Sequence, residues 1–99
     1  MDKISAAIIY ALYNTNYGQL LGTVLYETVK CAFPELTEKG FRRSLRFIGV
    51  RNLHEDSFLC YTYINLPPVF LDTDCLTDIE KSKIEECLFK QNLIFKTKN

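Results

Sequence analysis

The chain has 99 residues, of which 47% are hydrophobic and 13% aromatic, and its twelve basic and twelve acidic residues cancel to zero net charge. This composition excludes an intrinsically disordered chain and is sufficient for one small core. The charges are unevenly distributed, because residues 1–54 hold seven basic and four acidic residues whereas residues 55–99 hold five and eight. We therefore predict a single domain, residues 1–99, with a localised basic face.

Four cysteines occur at positions 31, 60, 75 and 87 without a C-x-x-C pair, and His54 is the sole histidine. We therefore expect no metal site and no cofactor, and we interpret the cysteines as reduced core residues, with Cys31 and Cys87 on apolar helical faces. The apolar run from Ile4 to Leu12 is far shorter than the roughly 20 residues that span a bilayer. Together with the lack of a secretory signal, these features predict a protein of the nucleus or cytoplasm without a membrane partner.

The first part of the chain predicts two helices, at residues 3–14 and 19–33, because apolar residues recur at helical spacing in both. Pro34 ends the second helix, since a residue before proline is disfavoured in the helical conformation. Tyrosine is favoured at protein interfaces, and four tyrosines of this region form a candidate protein-interaction surface. They are Tyr10, Tyr13, Tyr17 and Tyr26. The alternative is that their rings cover the rim of the core and leave the hydroxyls in water.

A third helix is predicted at residues 37–48, with Thr37 as its N-cap. One face of this helix is apolar and includes Phe41 and Leu45, whereas the opposite face is basic. The basic face carries Lys39, Arg42, Arg43 and Arg46. Nucleic acids are recognised first through the charge of their phosphates, so this face, extended by Arg51, is a candidate DNA-binding or RNA-binding site. The alternative is the solvated polar face of an ordinary amphipathic helix.

Phe47 lies beside the arginines on the helical wheel rather than with the apolar residues. An aromatic ring in that position either stacks on an exposed base, as in the recognition of single strands, or packs under the segment that follows the helix. We include Phe47 in the candidate nucleic-acid site, and both interpretations remain open at the level of the sequence.

The pattern becomes extended after the third helix. Residues 50–53 predict a short strand, residues 54–57 a turn and residues 58–66 a strand with alternating side chains, which together predict a β-hairpin. The two prolines at positions 67 and 68 end the second strand, since neither can donate to a sheet. Residues 69–71 are apolar and are expected to lie back on the core as a strap.

A fourth helix is predicted to begin after Thr77, because Thr77 and Glu80 match a capping box, and to continue through about Asn92. The residues predicted for its inner face are Ile79, Ile84, Cys87 and Leu88. Residues 93–98 either extend this helix or add an edge strand.

The order of helix, helix, basic helix and hairpin is typical of a winged helix-turn-helix domain. We therefore predict an α+β, mostly helical fold. Residues 1–66 form a winged-helix-like core of three helices plus a β-hairpin, and residues 67–99 add the strap and a C-terminal helix.

Within this order, the run Gly40-Phe41, Ser44-Leu45 and Phe47-Ile48, which follows Gly18-x-Leu20-Leu21, resembles the pattern of LOTUS domains. These domains are a winged-helix family of RNA-associated germline proteins. The chain differs from the family pattern in placing both Arg42 and Arg43 between Phe41 and Ser44. The resemblance implies binding to RNA or to a helicase partner.

The sequence contains nothing from which an active site could be assembled, because His54 falls in a predicted turn and the acidic residues lack a coordination spacing. We therefore expect a protein that is not an enzyme. The predicted function is that of a small intracellular nucleic-acid-binding module that uses the basic third helix. The alternative is a non-catalytic interaction module of the same fold, an adaptor or a homodimer, because fold alone does not determine function.

Overall fold

The computed structural model describes residues 2–15, 19–48, 51–52, 59–61 and 74–93, with only the backbone described at positions 19, 51–52 and 59–61. In these ranges the chain is a small, mostly helical domain. Its elements in chain order are α1 (Lys3–Asn14), β1 (Gln19–Leu21), α2 (Gly22–Ala32), α3 (Glu38–Phe47), β2 (Arg51–Asn52), β3 (Leu59–Tyr61) and α4 (Asp78–Lys90). The predicted first, third and fourth helices are confirmed.

Helix α1 is the centre of the fold and packs against α2, α3 and α4. A helix that is apolar around most of its circumference needs neighbours on most sides, and the three other helices supply them. Its buried residues are Ser5, Ala6, Ala7, Ile8, Ile9, Ala11 and Leu12. Asp2 caps the helix, because one carboxylate oxygen accepts from the backbone N–H of Ser5 at 2.8 Å and the other from the Ser5 hydroxyl at 2.9 Å.

The prediction that the second helix begins at residue 19 is wrong, because residues 19–21 form β1 and α2 begins at Gly22. β1 pairs antiparallel with β3, with Leu20 opposite Cys60. Leu20 is 3% exposed, whereas Leu21 is 48% exposed. The partner of β1 comes after α3 in the chain, and a local period cannot show a pairing over that separation.

Strands β2 and β3 lie within the two strands predicted at residues 50–53 and 58–66. They pair antiparallel, with Arg51 opposite Tyr61, and the resulting sheet has the order β1-β3-β2. The predicted turn, the end of the second predicted strand and the strap at residues 69–71 lie outside the described residues.

Helix α4 packs against α1 and α2. Its predicted capping box is confirmed, because the Thr77 hydroxyl accepts from the Glu80 backbone N–H at 3.1 Å and the Glu80 carboxylate accepts from the Thr77 N–H at 2.8 Å. Ile84 and Leu88 are fully buried, but Ile79 is 68% exposed, and its predicted inner position is wrong. The five residues from Ile79 to Ile84 rotate the helix by about 140°, which takes Ile79 off the buried face.

The C-terminal end of α4 is closed by two backbone hydrogen bonds. The N–H of Leu93 donates to the carbonyl of Leu88 at 2.9 Å, and the N–H of Asn92 donates to the carbonyl of Phe89 at 3.1 Å. This is a Schellman motif, with Asn92 in the left-handed conformation at a φ of 59°. Leu93 packs against the core, and the Thr15 hydroxyl donates to its carbonyl at 2.7 Å. The helix therefore does not continue into residue 93.

Candidate functional site

Helix α3 carries the candidate basic face, and its first turn is fixed locally. The Thr37 hydroxyl accepts from the backbone N–H of Gly40 at 3.1 Å, as an N-cap does. A Cβ at position 40 would come within 3.2 Å of the Thr37 Oγ1 atom, so glycine leaves room for the cap. Glu38 adds a negative charge to the first turn, where the helix dipole favours it.

The apolar face of α3 is buried and determines which way the helix is turned. Phe41 is fully buried, and Leu45 and Ile48 are each 4% exposed. The ring of Tyr26, on α2, meets the ring of Phe41 edge to face at a centroid distance of 5.3 Å. With this face held against the core, the opposite face of α3 is exposed to solvent, as the sequence predicted.

The outer face of α3 carries four cations, of which Arg42 is paired. Its Nε and Nη2 atoms donate to the same Glu38 carboxylate oxygen at 3.1 and 3.0 Å. Lys39, Arg43 and Arg46 are exposed, and the part of the chain that the structure describes places no carboxylate in an ion pair with them. Three of the predicted site residues therefore present their charges to solvent. The side chain of Arg51, which was predicted to extend this face, lies outside the described residues.

Phe47 is the last residue of α3 and is 72% exposed. The alternative interpretation, packing beneath the segment that follows the helix, involves residues that lie for the most part outside the described ranges. Residues four apart on a helix share a face, so Lys39, Arg43 and Phe47 form one stripe along α3. Arg42 and Arg46 form the adjacent stripe. The exposed ring therefore lies in line with two exposed cations.

The tyrosines of the candidate interaction surface lie in different environments in the structure. Tyr26 is half-buried, and its hydroxyl donates to the Leu36 carbonyl at 3.1 Å. Tyr10 is half-buried against α4, where burial first, and then the charge of Glu85 and a hydrogen bond with it, raise the pKa of Tyr10 to about 12. Both rings cover the rim of the core with their hydroxyls bonded rather than free in water. Tyr13 is 50% exposed, and Tyr17 lies outside the described residues.

The interpretation of the cysteines as core residues is wrong for Cys31 and Cys75, which are exposed, and Cys87 is half-buried. All three are free thiols. Cys31 and Cys87 line one cleft of about 440 Å³ where the end of α2 meets α4. Although Cys31 is exposed as a residue, its sulfur is partly desolvated in this cleft, and this desolvation, followed by a hydrogen bond with Cys87, raises the pKa of Cys31 to about 11. Gln91 Nε2 donates to the Cys87 sulfur at 3.3 Å.

Metal ligands are not grouped in the described ranges, where no cluster of three or more His, Cys, Asp or Glu side chains could hold an ion. None of the described helices has the length and apolar character needed to cross a bilayer. Comparison with protein families, with curated proteins and with solved structures gives no match to this chain. The candidate site is therefore defined by the geometry of α3 alone.

Proposed function

We propose that the chain forms a winged-helix-like domain. The order α1, β1, α2, α3, β2, β3 supports this assignment, because a helix-turn-helix pair is then followed by two antiparallel strands. The sheet order β1-β3-β2 adds support, since the strand between the first two helices joins the pair that would form the wing. Helix α4 is not one of these winged-helix elements and packs on α1 and α2.

The proposed function is non-catalytic nucleic-acid binding through α3. One observation carries this proposal: the outer face of α3 presents Lys39, Arg43 and Arg46 to solvent, and next to them lies a phenylalanine ring that is 72% exposed. A helix face that served only as a solvated polar surface would not require a concentration of positive charge on a chain of zero net charge. Phosphates are the ligands that such a concentration attracts.

A salt-dependent binding titration tests the proposal. Wild-type protein should bind DNA or RNA oligonucleotides at low salt, and log K should fall linearly with log salt concentration. The double variant Arg43→Glu/Arg46→Glu should bind at least about tenfold more weakly, and its slope should be shallower by about 0.7–0.9 for each phosphate that it no longer neutralises. Arg42 is a poorer choice, because its substitution also breaks the pair with Glu38.

The single variant Arg46→Glu is measured beside the double variant, and Lys83→Glu is its matched control, since both residues are exposed helical cations and both single exchanges alter the charge equally. Equal losses of affinity in the two variants would show a nonspecific effect of net charge. Absence of binding by wild-type protein at low salt would refute the proposal.

The second candidate is an interaction module that binds another protein or a second copy of this chain. Exposed apolar side chains favour it, because Ile79 is 68%, Tyr13 50% and Phe89 47% exposed. Sedimentation over a concentration series tests the case of self-association. A monomer at every concentration would exclude the homodimer.

A further inference from the structure

Phe47 has the largest exposed fraction among the large hydrophobic side chains that the structure describes. Its neighbour Ile48 occupies the adjacent core position and is only 4% exposed. The end of α3 is therefore anchored by Ile48, and Phe47 stays largely exposed beside it. An open aromatic ring keeps apolar area in water, so the exposure is unfavourable unless a partner covers the ring.

The surroundings of Phe47 specify the chemistry of such a partner. Arg43 precedes it by one helical turn on the same face, Lys39 precedes Arg43 by another, and Arg46 is on the adjacent stripe. A complementary ligand needs a flat apolar surface between negative charges. A nucleotide strand has this combination, because it alternates phosphates with bases that have open π-faces when they are not paired and stacked in a duplex.

We propose that this face binds a single-stranded stretch of nucleic acid, with Phe47 stacked on an unpaired base and with Lys39, Arg43 and Arg46 contacting the flanking phosphates. The proposal rests on the proposed function of α3 and narrows its ligand. In a duplex both faces of each internal base are covered by neighbours, so a ring at the end of α3 has no base face to contact. The strand can be RNA or DNA, because every base has a π-face.

The chain contains no tryptophan, which allows a direct optical test. The variant Phe47→Trp places the sole indole of the protein at the proposed stacking position. Its fluorescence should be strongly quenched by a short oligouridine or oligothymidine and only weakly by a hairpin-closed duplex of equal charge. The matched control is Tyr13→Trp, which puts the indole at a 50% exposed position of α1, where single strands should not quench it.

Affinity measurements complete the test. Phe47→Leu should weaken the binding of single strands by roughly tenfold and leave duplex binding unchanged, whereas Phe47→Tyr should retain the affinity for single strands. Position 47 is exposed, so all three variants should keep the wild-type unfolding midpoint. Comparison of oligouridine with oligothymidine separates RNA from DNA as the preferred strand.

Two results would overturn the inference, and they differ in what they say of the proposed function. If duplex binds as tightly as single strands and Phe47→Leu weakens neither, stacking is wrong while nucleic-acid binding by α3 stands. If no oligonucleotide binds wild-type protein at low salt, both proposals fail.

Discussion

Tyr26 contributes to the packing of the fold and is not part of an exposed interaction surface. Its hydroxyl donates to the Leu36 carbonyl, and its ring meets Phe41. We expect Tyr26→Phe to lower the free energy of unfolding by about 1 kcal/mol, because the half-buried ring is retained and one hydrogen bond is removed. Urea denaturation measures the change.

The matched control is Tyr13→Phe, which removes the same hydroxyl from a half-exposed ring. Its free energy of unfolding should stay within about 0.5 kcal/mol of wild type. If the two exchanges cost the same, the Tyr26 hydroxyl is not held as the structure shows.

The charge of Glu80, at the start of α4, makes the stability of the fold depend on pH. Its pKa is lowered below 4.5, chiefly because its carboxylate accepts from the Thr77 N–H, with a smaller contribution from Lys3, whose Nζ lies 3.1 Å away. A carboxyl group whose pKa is lower in the folded than in the unfolded state stabilises the protein at pH values above its pKa in the unfolded state. This stabilisation is lost as the pH falls through the pKa of the folded state.

The variant Glu80→Gln keeps the size of the side chain and its capping oxygen while removing the charge. Its thermal midpoint should therefore lie below that of wild type at about pH 7, and the gap should close as the pH is lowered to about 2. A gap that stays constant over this range would mean that the Glu80 charge does not stabilise the folded state.

The sequence predicted correctly those features of single residues that depend on residues close by in the chain. Thr77 and Glu80 are three residues apart, so their capping box is visible in the sequence. The hydrogen bond from Tyr26 to Leu36 depends on how a loop returns to α2, which no local pattern encodes. The exposure of Cys31 depends on how much of the end of α2 is covered by α4, which is also a matter of packing.

At the scale of elements, the end of α4 depends on Asn92, which adopts a positive φ of 59°. Asn92→Gly should raise the free energy of unfolding by up to about 1 kcal/mol, because glycine adopts this conformation without steric cost. Asn92→Val should lower it by about 1–2 kcal/mol, because a β-branched side chain is disfavoured there. Chemical denaturation of the pair compares them, and equal stabilities would contradict the Schellman geometry.

Helices α1, α3 and α4 were predictable because each is encoded by local spacing and by a side-chain N-cap, as in α3 with Thr37 before it and Phe41 and Leu45 on one face. Strand β1 was not predictable, because Leu20 and Leu21 continue the apolar pattern of α2 and the extended conformation of the strand comes with its pairing to β3. Four of the five candidate cations belong to one helix, so the sequence could group them, whereas Arg51 lies in β2. The sequence left open whether Phe47 would be covered, since that depends on how the chain packs around the end of α3.

Helix α4 contributes side chains to the hydrophobic core of the whole molecule and is not an accessory element on its surface. Its residues Ile84 and Leu88 are fully buried, and the Lys3 and Thr15 side chains tie both ends of α1 to the start and end of α4. We expect Ile84→Ala to lower the free energy of unfolding by about 2–5 kcal/mol, since it removes buried methyl groups and leaves a cavity. A urea titration measures this loss.

Ile79→Ala deletes the same atoms from the same helix at a position that is 68% exposed. It should change the free energy of unfolding by no more than about 0.5 kcal/mol. Similar losses in both variants would mean that the rotation of α4 about its axis is not the one described.

Amide chemical-shift mapping with a short oligouridine at low salt tests whether α3 is the surface that contacts nucleic acid. We predict that the largest shifts fall on α3, above all at Lys39, Arg43 and Phe47, and that they diminish as salt is added. Shifts confined to α4 near Ile79 and Phe89, or no shifts at the highest oligonucleotide concentration, would contradict nucleic-acid binding through α3.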